Sequence, residues 1–177
     1  GFGGTDDPSA VGRSGAAHVA GCAATANLRA GLRYGVPTRG TAAHSFTRLH
    51  ATESQAFEAQ IGALGEDTTL RVDTYDIETA VRTGVELTKG KLGAIRLDSG
   101  DLAELAGDVR QLLDSLGATS TRILVTSDLD EWHIAALRGA PVAAFGVSTS
   151  LVTGPGAPTC RFVSNLTAPA HRDEPGA

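Results

Sequence analysis

Five short apolar runs in this chain each break into Gly, Asp, Ser, Thr or His, and each break leads into a stretch with helical periodicity. The breaks are residues 40–45 (GTAAHS), 72–76 (VDTYD), 96–101 (RLDSGD), 126–131 (TSDLDE) and 146–150 (GVSTS). A strand that hands over to a helix, repeated, builds parallel βα units, because parallel strands need a long crossover and a helix is the usual one. Such a repeat collects every strand C-terminus on one face, where open α/β sheets and α/β barrels bind ligands. The polar breaks therefore read as one site assembled from five places.

The elements follow from spacing. Residues 8–34 are rich in Ala and Gly and predict one or two helices of low side-chain volume. Residues 36–41 are the first strand candidate. Thr52 and Gln55 have capping-box spacing, Phe57, Ile61 and Leu64 share a helical face, and Gly65 can stop that helix. Residues 69–72 predict the second strand. Ile77, Val81 and Val85 line the next helix, which Gly90 can end. Residues 92–97 predict the third strand. Leu102, Leu105, Val109, Leu112, Leu113 and Leu116 then form one stripe, with Asp101 and Glu104 at its start and Gly117 at its end. Residues 123–125 and 142–145 predict the fourth and fifth strands, with a helix over 129–138 between them that turns Ile134 and Leu137 inward. The strands read as near-continuous apolar runs, the pattern of a sheet covered on both faces. A closed barrel needs eight strands, so five make an open sheet or part of an α/β barrel. The pattern fades from Pro155, and residues 168–177 read as a disordered tail.

Composition narrows the function. The 177 residues carry 15 basic and 20 acidic side chains, a net charge of −5, without the basic stripe that nucleic acid demands. No apolar stretch approaches a membrane span, and no N-terminal signal pattern appears. Cys22 and Cys160 make neither a disulfide framework nor a metal spacing, which points to a reducing cytoplasm. Methionine is absent even at position 1, so a processed product or an incomplete reading frame is expected.

His44 follows a strand end and Gly40-Thr41. An imidazole there can act as nucleophile, hold a proton or bind a metal, or simply hydrogen-bond near a helix start. His18, His50, His133 and His171 lack such a setting and read as surface or structural. Asp98 and Asp101 lie in an acidic turn that could hold Mg²⁺ through water or bind sugar hydroxyls. Of the two, Asp101 is the expected cap of the next helix and Asp98, on the strand end, the expected functional carboxylate. Arg96 leaves its strand on the same face as Asp98 and needs an anion, either a phosphate or Asp98 itself. Asp73 and Asp76 flank a similar turn, with Asp76 the expected cap. Of Asp128, Asp130 and Glu131, one is expected to cap and the others to reach the site. Gly146, Val147, Ser148 and Thr149 form a small-residue turn whose N–H groups suit an anion.

These segments resemble the nicotinate phosphoribosyltransferase family. The resemblance is carried by FG (Phe2, Gly3), N-L-x-A-G (residues 27–31), YGVPTRGTAAHSF (34–46), VDTYD, GAIRLDSGDL (93–102), ILVTSDLDE (123–131), IAALRGAPV (134–142) and FGVSTSLVTG (145–154). It runs through residues 1–167, taken as one barrel segment, and GT-x-AHS with RLDSGDL is its specific part. The resemblance implies a type II phosphoribosyltransferase fold, an incomplete α/β barrel packed with a second domain, usually dimeric. It implies joining nicotinate to phosphoribosyl pyrophosphate, with Mg²⁺ and with ATP hydrolysed through a phosphohistidine. It makes His44 that histidine and puts Arg96 and Asp98 on the phosphoribosyl substrate; Thr41, Asp73, Asp101 and Asp128, at the same strand ends, are expected as further substrate-binding residues. Residues 146–149 would hold the 5′-phosphate, and Phe2 would stack on the pyridine ring.

Departures from the family pattern are specific. A pair of arginines expected shortly after FG is replaced by Thr5 and Asp6, so the nicotinate carboxylate loses its cations. TSN becomes Thr25-Ala26-Asn27, and GVGT becomes Gly146-Val147-Ser148-Thr149. The N-terminal domain and outer strands are expected outside this sequence. Beside a nicotinate phosphoribosyltransferase stands the alternative of a non-catalytic remnant that binds phosphate or a partner subunit. A Mg²⁺-dependent phosphohydrolase is a weaker third reading. The chain by itself is expected to make no nicotinate mononucleotide.

Overall fold

The computed structural model describes residues 8–153. Phe2, Thr5 and Asp6, Cys160, His171 and the 168–177 tail lie outside the described residues. The element order is α1 (Pro8–Val19), α2 (Leu28–Tyr34), α3 (His44–Arg48), α4 (Glu53–Leu64), β1 (Thr69–Arg71), α5 (Ile77–Leu87), β2 (Ala94–Leu97), α6 (Leu102–Ser115), β3 (Arg122–Thr126), α7 (Glu131–Ala136), β4 (Ala144–Gly146) and α8 (Thr149–Thr153). The strands lie in the order β1-β2-β3-β4, all parallel. This is the expected βα repeat, with four strands rather than five.

The missing strand is 36–41. Only Thr25 and Thr38 meet there, in one parallel bridge. Thr25 N–H donates to Pro37 O, and Arg39 N–H donates to Thr25 O. Pro37 has no N–H to extend a ladder, and Val36 is the segment's one large apolar side chain, so little favours a longer strand.

The helices form where spacing places them. Thr52 accepts from Gln55 N–H at 3.2 Å and caps α4. Phe57 is buried and Ile61 packs beside it, but Leu64 is 68% exposed. Gln60 is buried in its stead, donating to Thr68 Oγ1 and Thr69 O. Gly65 ends the helix at φ +83°, a conformation open to glycine at little cost. Helix α6 buries Ala106, Val109 and Leu113, with Leu102, Leu105, Leu112 and Leu116 packed alongside. The expected helix over 129–138 is shorter: α7 gives way to a 3-10 turn, Leu137–Gly139. Ile134 packs against the core and Leu137 is buried, as expected.

Alternation along the strands makes the two sheet faces different. Leu70, Val72, Ile95, Leu97, Ile123 and Val125 are at most 1% exposed and pack with Phe57, Val81, Val109 and Leu113 in one core. Burying an aliphatic side chain of this size contributes about 1.5–3 kcal/mol. The other face carries Arg71, Arg96, Leu124 and Thr126. The strands are therefore not apolar on both faces: two arginines interrupt them, and these build the site.

Candidate functional site

Strands β1 and β2 both end in Arg-x-Asp: Arg71-Val72-Asp73 and Arg96-Leu97-Asp98. Parallel pairing sets Arg71 beside Arg96, so two cations and the two carboxylates just beyond them share one strand-end corner. Asp73 is the anchor, with a side chain 2% exposed. Its Oδ1 accepts from Arg71 Nε at 3.0 Å. Its Oδ2 accepts from Asp98 N–H and from Ser99 Oγ, each at 3.0 Å. Both oxygens of Asp73 thus hold the neighbouring arginine and the Asp98-Ser99 turn. That arrangement makes it a positioning residue.

Asp98 sits at the centre. Its Oδ1 accepts from Arg96 Nη2 at 2.9 Å and from the Thr126 hydroxyl, and its Oδ2 accepts from Arg71 Nη2. Burial pushes the Asp98 carboxyl up, but the Thr126 hydroxyl, Arg96 and Arg71 outweigh it and hold it below its ordinary value. Asp98 therefore remains an anion at neutral pH. Arg96 also donates from Nε to Thr126 Oγ1 at 2.7 Å and from Nη1 to Thr41 Oγ1. An arginine has more N–H donors than these bonds use, so Arg96 can still meet an incoming anion.

His44 is the first residue of α3, half-buried, and its Nδ1 lies 3.1 Å from Thr74 Oγ1. Burial lowers its pKa, Arg71 and Arg48 lower it further, and Asp73 and Asp98 raise it; the net effect is below the usual histidine value. The ring is neutral at neutral pH and lies in the field of the carboxylate corner. Among the described residues no hydrogen bond reaches its Nε2.

The remaining candidates are less tightly built in. Asp101 is the N-cap of α6, its Oδ1 accepting from Ala103 and Glu104 N–H. Asp76 and Asp130 cap α5 and α7, so Asp130 is the cap among the three acids after β3. Asp128 is exposed in the bend after β3. Gly146 ends β4, and Val147, Ser148 and Thr149 follow it, all half-buried. A Cβ on Gly146 would lie 2.5 Å from Thr126 Cγ2, so glycine is needed for β4 to lie against the residue that holds Asp98. His18, His50 and His133 bond locally, to Cys22 O, Phe46 O and Asp130. Among the described residues no group of three or more His, Cys, Asp or Glu is placed to hold a metal. Arg71, Thr74 and Thr126 are the members that reading strand ends one at a time overlooks. For Arg71 the signal was present, because the same Arg-x-Asp occurs twice.

A four-stranded parallel sheet with helices after its strands is the fold that part of the solved nicotinate phosphoribosyltransferase structures displays. A structure titled nicotinate-nucleotide pyrophosphorylase, from Pyrococcus furiosus, superposes with a TM-score of 0.73 at 26% identity, covering 81% of this chain and 38% of that one. A Porphyromonas gingivalis nicotinate phosphoribosyltransferase shares the fold with a TM-score of 0.65 at 22% identity, over 75% of this chain and 38% of that one. In sequence the chain is 55% identical over 170 residues to nicotinate phosphoribosyltransferase pncB1 of Mycobacterium tuberculosis, and 37% identical over 161 residues to the Bacillus subtilis nicotinate phosphoribosyltransferase. These alignments cover 92% and 86% of this chain. No family model matches. The chain belongs to the nicotinate phosphoribosyltransferase family as a partial homologue, spanning 38% and 33% of the length of those two relatives.

Proposed function

We propose that this chain carries the phosphoribosyl-transfer part of a nicotinate phosphoribosyltransferase. Nicotinate and phosphoribosyl pyrophosphate give nicotinate mononucleotide and pyrophosphate, and ATP is coupled through phosphorylation of His44. The observation that supports this best is Asp98, kept ionised between Arg71, Arg96 and Thr126, with neutral His44 beside it. Phosphoribosyl transfer passes through a cationic, oxocarbenium-like ribose, and a fixed carboxylate stabilises developing positive charge without reorganising. Arg96 serves the departing pyrophosphate. Gly146, Val147, Ser148 and Thr149 receive the 5′-phosphate at the end of β4. Thr41 orients Arg96.

Mg²⁺ does not fit as a protein-held ion here. Both oxygens of Asp73 and both of Asp98 already accept from nitrogen or hydroxyl donors, and Asp101 caps a helix. Mg²⁺ belongs instead with the phosphates of ATP and phosphoribosyl pyrophosphate, as part of the substrates. No helix of the described residues is long and apolar enough to cross a membrane. Cytoplasmic location and a homodimeric whole protein complete the proposal.

The test is incubation with γ-labelled ATP. Label is expected on the wild-type chain and absent from His44→Ala. Equal labelling of the two, or labelling of neither, rejects the ATP coupling.

A further inference from the structure

The histidines described differ in what holds Nδ1. His18 and His50 meet backbone carbonyls at 2.8 Å, and His133 meets the Asp130 carboxylate at 2.6 Å. Those partners only accept, so each ring must donate from Nδ1. His44 alone among them meets a hydroxyl, Thr74 Oγ1, at 3.1 Å. Thr74 follows Asp73 directly, and Asp73 is locked from both oxygens. The hydroxyl is therefore anchored to the most constrained corner of the site rather than to a free loop.

We propose that Thr74 is the positioning residue for His44: it occupies Nδ1 and leaves Nε2 as the nitrogen that takes a phosphoryl group. This rests on the phosphohistidine reading above. In the reactive ring the proton sits on Nδ1 and is donated to Thr74 Oγ1, so Nε2 carries a lone pair and no proton. Nε2 attacks the γ-phosphorus of ATP. The P–Nε2 bond forms, the bond from the γ-phosphorus to the β,γ-bridging oxygen breaks, and its electron pair leaves on ADP. No proton must be removed from Nε2. The ring keeps its Nδ1–H and carries a positive charge beside the negative phosphoryl group. Throughout, the hydroxyl accepts the same hydrogen bond, so the reaction needs no rearrangement at Nδ1. The charged and titratable groups acting on the ring are Arg48, Arg71, Asp73 and Asp98, none of which is bonded to Nδ1.

Phosphoramidate, a small phosphoryl donor that needs no nucleotide site, tests this separately from the function. The 177-residue chain is treated with it at neutral pH, and the phosphohistidine isomer at His44 is read by ³¹P and ¹⁵N NMR, with His44→Ala identifying the signal. Wild type and Thr74→Ser are expected to give the Nε2 isomer alone from the earliest times. Thr74→Val is expected to give both isomers, with Nε2 labelling slowed about five- to tenfold, the worth of one hydrogen bond. The Nδ1 isomer in wild type overturns the proposal even if Thr74→Val does not fold. So does an unchanged isomer ratio and rate in a folded Thr74→Val. If ATP leaves the chain unlabelled while phosphoramidate gives the Nε2 isomer only, the positioning role stands and the ATP coupling fails.

Discussion

The two halves of the strand-end rim are built differently. At the ends of β1 and β2, each Arg-x-Asp supplies both a charge and the group that fixes its neighbour's charge. Asp73, Arg71, Asp98 and Arg96 close on one another with little solvent among them. At the end of β4 the strand itself is exposed, Phe145 is 38% exposed, and small residues follow. The first half is rigid because charges in a low-dielectric corner must be paired. The second half takes its order from packing, chiefly Gly146 against Thr126. One half can therefore hold a carboxylate in a set orientation before any ligand arrives. On the proposed function, the other half receives the 5′-phosphate, a group that brings its own charge.

The largest expected effect breaks the first half. Arg71→Ala strips the charged partner from buried Asp73, leaving it the Asp98 N–H and Ser99 hydroxyl, and one partner from Asp98. Removing one member of a buried pair typically costs about 3–5 kcal/mol. Arg122→Ala, which loses an exposed bond to Asp67, is expected to cost about 0–1 kcal/mol. Urea midpoints of the two variants measure the difference, and similar midpoints would show that the corner is not a paired, buried unit.

Gly146→Ala probes where the halves meet. The added methyl would sit 2.5 Å from Thr126 Cγ2, and overpacking of this kind costs about 1–3 kcal/mol. Pairing it with Thr126→Ser, which removes the clashing methyl and keeps the hydroxyl on Asp98, should recover most of that loss. If the double variant is no better than Gly146→Ala alone, β4 is not seated on Thr126.

Much of this contrast was legible in the sequence. The βα repeat, the α6 stripe and the caps at Thr52, Asp76 and Asp101 followed from spacing, because each depends on residues within a turn or two. The convergence of His44, Asp98 and Arg96 followed from topology. What was not legible required register. Arg71 and Arg96 become neighbours only once β1 and β2 pair, and Thr126 meets Asp98 only across β2 and β3. Thr74 is unremarkable until α3 brings His44 beside it. Residues 36–41 misled because a Pro and one Val between two polar stretches imitate a short strand, while the decisive fact, the missing N–H of Pro37, acts only in the ladder.

The pH response separates His44 from the corner. His44 has a folded pKa below 6.5, so the unfolded chain takes up the proton first. Its contribution to stability is complete above about 6.5 and declines as pH falls from there toward the folded value. Asp98 has a folded pKa below 3.8, so its contribution is complete above that value and is lost as pH falls through the folded one. Urea midpoints across pH 3–8 should therefore fall less between pH 7 and 5 in His44→Gln than in wild type. Parallel curves over that interval would mean that burial and Arg71 do not act on the ring.

The smallest expected effect decides what Asp101 does. Its Oδ1 accepts the N–H groups of Ala103 and Glu104, at 3.1 and 3.2 Å, and the residue is exposed. Capping alone makes a clear demand on substitution. Asn keeps an oxygen that can accept both bonds, whereas Ala keeps none. Asp101→Ala is expected to cost about 1 kcal/mol and Asp101→Asn only a few tenths. A substrate-binding carboxylate makes the opposite demand, because a ribose hydroxyl or a phosphate-bound cation responds to charge as well as to an oxygen. Titrating phosphoribosyl pyrophosphate into wild type and Asp101→Asn, beside the urea midpoints, separates the two. Equal affinity with a preserved midpoint leaves Asp101 a cap and confines the site to the corner around Asp98. Weakened affinity with a preserved midpoint places Asp101 on the substrate and extends the organised half of the rim by one more turn.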